Sequence, residues 1–307
     1  MSGSAVGARG AYTREQLKWF VHEWIIVPLK IIVRNKKALF GFILLIGYLL
    51  MATVGPLVVP KPENFQCPME LKPTLLKWPP SLAHPLGCDY YGADIWAKIV
   101  YGSRTVLEIA FIAGFITTII GITVGMVAGF KGGKVDVALM SITDVLMTIP
   151  GLPLLIVLAA ILRSYANNPF VVGAILSVNA WTGLARSVRS QVLTLKNREF
   201  VEAAKALGMT TGHIVFREIM PNLASFIAVN FIFSTIGAVY SCIALYFLAI
   251  LPFTANNWGL MLYMAWNNAD YNTVIAVVLA VIGLQLGLFM FSYAVDEMFN
   301  PRLRTEV

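Results

Sequence analysis

Charge is what this chain of 307 residues most lacks: 13% of it is Asp, Glu, Lys or Arg, while 58% is hydrophobic. A soluble domain usually carries about 25% charged residues. So little polar surface excludes an ordinary soluble fold of this size, and the mean hydropathy of +0.75 agrees. Histidine and cysteine are scarce too, with three of each. His22, His84 and His213 are scattered without metal-ligand spacing, so no metal site is expected. No nucleophile–base pairing suggests an enzyme. A nucleic-acid role would need a concentrated basic face with stacking aromatics, and the chain has none.

The charges that are present come in clumps. None falls between Lys37 and Lys61, Glu108 and Lys131, Asp144 and Arg163, Arg163 and Arg186, Glu218 and Asp270, or Asp270 and Asp296. A bilayer-crossing helix needs about 17–25 apolar residues. The gap after Glu218 is longer than the rest, but Pro, Asn and Gly break its far end, from Pro252 to Trp266. It therefore reads as one span plus a polar-aromatic loop. About six transmembrane helices are expected, over 38–59, 105–130, 137–162, 169–188, 221–251 and 273–295. The first begins after Lys36-Lys37, too deep in the chain for a cleavable signal, and is expected to be retained.

Basic residues orient such a chain, because they favour the cytoplasmic side. Residues 1–37, 131–136, 186–217 and the C-terminus together hold seventeen Lys and Arg; the loops between them hold six. Both termini are therefore expected to be cytoplasmic, and the net charge of +7 is a topology signal. The expected organisation is a cytoplasmic tail over 1–37 with an amphipathic helix, a first span over 38–59, an extracytoplasmic Pro-rich loop over 60–102, a five-span core over 103–300 and a cytoplasmic tail over 301–307.

Several local features bear on packing. Leu17, Phe20, Val21, Trp24 and Ile25 lie near helical spacing, as suits a helix along a membrane surface. Cys67 and Cys88 share the external loop, where a disulfide can form; a bridge and two separate thiols are both open. Cys242 lies in an apolar span and reads as a small core residue. Gly121, Gly125 and Gly129 share one helix face and permit close helix approach. Pro150-Gly151-Leu152-Pro153 should kink or unwind the third span. Asp144 lies within a span, where a functional acid and a packing contact are both open. Trp258, Tyr263, Trp266 and Tyr271 read as an interfacial aromatic belt, with contact to an external partner protein as the alternative. There is no internal repeat.

The segment from Arg198 to Asn222 carries the most information. Residues 198–207 are good helix formers with a small face at Ala203 and Ala204. Gly208 suits a helix C-cap, Thr210 or Thr211 can start a second helix, and Pro221 fits the entry to the next span. This is a pair of short helices joined by a sharp turn. By physical chemistry it is either a docking element, with Glu202 offered to a partner, or a plain surface hairpin.

Glu202-Ala203-Ala204, Gly208 and Pro221 resemble the EAA loop of ABC importer permeases. Three further stretches resemble the dipeptide/oligopeptide/nickel permeases of the C type. They are His84-Pro-Leu-Gly-Cys-Asp-Tyr-Tyr-Gly-Ala-Asp-Ile-Trp-Ala-Lys-Ile-Val-Tyr-Gly-Ser-Arg-Thr-Val-Leu107, Asp136 through Asp144 to Ile149-Pro150-Gly151, and Trp181-Thr-Gly-Leu-Ala-Arg-Ser-Val-Arg-Ser-Gln191. The resemblance runs over about residues 84–301. Departures from the pattern are Met220 for the usual Leu, Glu218 where many relatives have His, Cys88 where Thr is usual, and Ala93 and Ala97 where Arg and Ser are common. The joint gain of two cysteines in one loop favours a bridge between them.

The resemblance implies an all-α polytopic protein with a type I ABC importer permease-like fold in a bacterial or archaeal cell membrane. It implies partnership with a second homologous permease, two ATP-binding-cassette ATPase subunits and an external substrate-binding protein. ATP and Mg would then bind the ATPase subunits, and this chain would hold no cofactor and bind no nucleic acid. Glu202, Ala203, Ala204, Gly208 and Pro221 would form the coupling element seated in an ATPase cleft. Short peptides are the implied substrate, with oligosaccharides or nickel as alternatives. Gly129-Phe-Lys-Gly-Gly-Lys-Val135 is not a P-loop, because Ala128 and Val135 stand where Gly and Ser/Thr are required. A secondary transporter would need midplane acids and often inverted repeats, and neither is visible.

Overall fold

Short polar residues at helix starts decide where this apolar chain turns. Asn35 follows α1 (Val27–Arg34) and caps α2 (Lys36–Thr53), accepting from the Lys37 and Ala38 amides. Asp94 caps α3 (Ile95–Lys131) by accepting from the Ala97 amide at 2.6 Å. Next come α4 (Gly133–Thr148), α5 (Gly151–Ile161), α6 (Pro169–Ser177), which Asn168 caps, and α7 (Trp181–Leu195). A hairpin that begins with α8 (Glu199–Ala206) leads into α9 (Ala224–Phe247), and α10 (Trp258–Asn267) and α11 (Tyr271–Phe299) end the fold. Each cap satisfies amides that the helix leaves unpaired. This computed structural model describes residues 27–63, 67, 80–253 and 256–299. The tails over 1–26 and 301–307, including most of the expected amphipathic helix, lie outside the described residues.

Four helices (α2, α3, α9 and α11) are each long and apolar enough to cross a membrane, and the total is up to six if each of two bent pairs is one span. α4 and α5 meet at 86° and α6 and α7 at 56°. The first bend falls at Pro150, as the Pro-Gly-Leu-Pro run requires: proline removes a ladder hydrogen bond and clashes with the preceding turn. The second, at 178–180, has no proline or glycine to announce it. α3 has 37 residues and is about 55 Å long, well beyond a hydrocarbon core of about 30 Å. It starts ten residues before the expected span at 105 because Asp94 caps it there; Lys98 and Arg104 lie on its polar end.

α3 is the central column. α6, α7 and α9 pack along it, and α2 pairs with α11. The stripe Gly121, Gly125 and Gly129 faces α7, where added Cβ atoms would meet Leu184, the Ala185 carbonyl and Val192. These glycines serve close approach. Lys196 then donates to the Gly129 and Phe130 carbonyls at 3.3 and 3.2 Å, a cation placed on the α3 C-terminus. Asp144 pairs with Arg186, and Arg189 grips Asp136 through two hydrogen bonds of 2.5 Å. Asp144 is thus a helix-packing acid that ties α4 to α7.

At the start of α3 the chain folds into a tight knot. Cys67 and Cys88 are joined by a disulfide, with their Cα atoms 6.2 Å apart. The Asp89 side chain accepts from the Tyr91 and Ala93 amides and pairs with Lys98. His84 hydrogen-bonds Asp94 at 2.8 Å. The Tyr90 amide donates to Asp270, which also caps α11. No metal site is expected from the spacing of His and Cys, yet the fold brings Cys67, His84 and Cys88 within 4.8 Å of one another. With the two sulfurs bonded to each other, neither is available as a thiolate ligand.

The loop expected over 252–272 contains α10. Its Trp258 is fully buried and donates to the Ile99 carbonyl at 3.0 Å, so it belongs to the core and not to an aromatic belt. Trp266 and Tyr271 are exposed, as a belt requires. Asn35 donates to Glu297 at 2.9 Å and Ser225 to Asp296 at 2.6 Å. Both described ends of the chain therefore lie at the end of the bundle where α9 begins, opposite the disulfide.

Candidate functional site

The hairpin between α7 and α9 is built by a sequence of local decisions. α8 has Glu199 and Glu202 in its first turn and Lys205 in its last, the charge order that the helix dipole favours. The helix then stops at a closed cap. The Gly208 amide donates to the Lys205 carbonyl at 3.0 Å and the Met209 amide to the Ala204 carbonyl at 3.1 Å. Gly208 has φ +74°. This bond pair with a left-handed residue is a Schellman motif, and glycine fills it without steric penalty. Two residues later Thr210 caps the second helix, accepting from the His213 amide at 3.3 Å.

That second helix widens to a π-helix over Ile214–Ile219 before Pro221. A proline in a helix collides with the carbonyl four residues back and supplies no amide; a wider turn accommodates both. The Asn222 side chain donates to the Glu218 carbonyl at 2.6 Å and satisfies an acceptor there. Pro221 is exposed at the junction with α9.

Packing makes the hairpin rigid with the bundle. Val201, Ala204, Ile214, Ile219 and Leu223 are buried in one cluster with Met126 of α3 and Leu184, Val188 and Val192 of α7. The expected pair Ala203 and Ala204 is thereby split: Ala204 is 4% exposed and packs inward, while Ala203 and Glu202 face outward. The Ala204 side chain therefore fills this chain's own core and does not lie on the outward face. Large apolar residues not expected there also face outward, most of all Leu207 at 76% and Phe216 at 64% exposure. Leu207 stands three residues after the buried Ala204, a spacing that suggests burial. The helix has ended by then, so the spacing misleads.

Among the described residues, the hairpin places no nucleophile–base pair or P-loop beside these groups. Gly132 and Gly133 form the tight corner between α3 and α4 with φ +67° and +53°.

Comparison with known proteins gives the lineage. Residues 121–305 match the family model "Binding-protein-dependent transport system inner membrane component". Residues 29–77 match "N-terminal TM domain of oligopeptide transport permease C". The dipeptide transport system permease protein DppC of Bacillus subtilis is 34% identical over 231 residues, covering 74% of this chain and 69% of its own. The oligopeptide transport system permease protein OppC of the same organism is 31% identical over 228 residues, covering 74% and 72%. A putative peptide permease of Brucella ovis is 32% identical over 237 residues, covering 77% and 76%. Among solved structures, a chain of the inward-facing MetNI methionine ABC transporter aligns with a TM-score of 0.49 and 20% identity, covering 64% of this chain and 96% of that one. The family match spans more than half the chain and includes the hairpin, so this protein belongs to the binding-protein-dependent transport system inner membrane components, as a multi-pass transmembrane permease subunit of an ABC transporter.

Proposed function

We propose that this chain imports short peptides as one half of a two-permease channel, and that its hairpin couples the spans to a partner ATPase on the cytoplasmic side. The observation that carries the coupling role is the two-sided hairpin. One face is locked into the α3–α7 core, and the other presents Glu202, Ala203, Leu207 and Phe216 outward. A surface that mixes exposed apolar and charged groups and is packed against the spans suits a docked partner. The peptide substrate is supported by the names that the Bacillus and Brucella relatives bear.

In this reading, ATP and Mg bind two ATPase subunits and an external binding protein delivers the peptide. This chain contributes contacts that differ between an inward-facing and an outward-facing state, which is what a ligand-driven switch requires. Gly208 closes α8 with a fixed corner, so a pull on Glu202 and Leu207 reaches α7 and α9 through the buried cluster. In proteoliposomes holding the complete transporter, Glu202→Arg is expected to abolish ATP-driven uptake while the chain still inserts and assembles. Wild-type uptake by that variant would remove the docking assignment.

A further inference from the structure

α9 carries Asn230, Ser234, Gly237 and Ser241 at spacings of four, three and four residues, which puts them on one helix face. They line a groove of about 310 Å³ whose other side is formed by Ala113 and Thr117 of α3 and by Leu176, Ala180 and Leu184. The midpoint of α9 lies between Thr235 and Ile236, so the polar face is centred on the span. Polar groups at that depth face a bundle interior or a water-filled cavity. No charged residue occurs between Glu218 and Asp270, and none lines the groove.

Gly237 is the second observation. A Cβ added there would meet nothing within 4 Å, whereas one at Gly114 would strike Thr235. Glycine inside a helix is about 1 kcal/mol less favourable than alanine. At Gly114 close packing explains the glycine. At Gly237 nothing among the described residues does, and its absent side chain leaves the groove open. The groove is also concave, with apolar Leu176, Leu184 and Phe233 between its polar groups, unlike the flush ridge of a packed helix.

We infer that this groove is this chain's share of the translocation pathway, and that it takes the uncharged main chain of an extended peptide. Asn230, Ser234 and Ser241, each partly exposed, would exchange hydrogen bonds with passing amides. The Asn230 amide N–H already donates to the Phe226 carbonyl at 2.8 Å, which leaves its oxygen as an acceptor. A lining without charge neither traps nor repels acidic or basic side chains, so it suits peptides of mixed sequence. This inference rests on the peptide-permease reading above.

The test uses the complete transporter in vesicles, with Ser234→Cys or Gly237→Cys. Serine to cysteine is nearly isosteric, and the open space at 237 accepts a side chain. Native Cys242 is fully buried and serves as the internal reference. A charged methanethiosulfonate reacts with thiolates in water, so it is expected to modify both new thiols about tenfold faster than Cys242. Saturating peptide with its binding protein should slow that reaction. Modification by an apolar maleimide alone would show a lipid-facing surface, and modification by neither reagent would show a face packed against the second permease; either result overturns the inference. Labelling that peptide does not slow would overturn the peptide as occupant. If the wild-type transporter imports no peptide, the functional reading fails, while charged-reagent entry still decides whether the groove is a pathway.

Discussion

At Gly208 the backbone sets the requirement, because an added Cβ meets nothing within 4 Å while φ is +74°. A residue with a side chain in that region costs about 1–2 kcal/mol, and Asn less than most. Gly208→Asn should therefore keep most peptide-stimulated ATPase activity, and Gly208→Val should lose most of it. Equal activity in both variants would show that the corner is not needed. Gly208 and Thr210 were legible as caps from residue type alone. The orientation of the two alanines was not, since it depends on how α8 is rotated against Val188 and Val192, residues distant in sequence. Leu207 was hidden for the opposite reason: its spacing continues a helix that the structure has already ended.

Among the elements, α4 is held to α7 by two ion pairs of unequal worth. Asp136 is 13% exposed and takes a bidentate pair of hydrogen bonds from Arg189; Asp144 is 55% exposed beside Arg186. Exposed pairs contribute about 0–1 kcal/mol, and bidentate, partly buried ones more. Asp136→Ala is expected to lower the thermal stability of the assembled transporter by about 1 kcal/mol, and Asp144→Ala by less than about 0.5 kcal/mol. The reverse order in thermal unfolding would contradict this ranking. At the opposite end, the Cys67–Cys88 link closes a separation of 21 residues, which corresponds to about 3 kcal/mol of restricted unfolded-state freedom. Reduction by a dithiol, or Cys88→Ser, should make the segment before α3 cleavable by protease added on that side. Protease resistance equal to that of the oxidised protein would show that the knot holds without the bridge. The bend between α4 and α5 was readable from its prolines. The bend between α6 and α7, and the helix α10, were not: the first lacks a breaker residue, and the second is short, rich in Asn at its ends, and held by the distant Trp258–Ile99 contact.

Across the whole molecule, the clumping of charge pointed to six crossings; the structure has four helices long enough to cross, and up to six crossings if each bent pair is one span. Composition could not show that α3 continues past the membrane or that one rigid cluster joins it to the hairpin. That connection makes the protein more than a bundle of spans: α3 and α7 extend from the disulfide knot and the groove to the surface of α8. The central claim is that this surface docks an ATPase while the adjacent buried face moves with the spans. A photoactivatable crosslinker attached through Ala203→Cys, Leu207→Cys or Ala204→Cys in the assembled transporter tests it most directly. Crosslinks to the ATPase subunit from 203 and 207, with none from 204, are the expected result. Crosslinks from 204 alone, or none from 203 and 207, would contradict it.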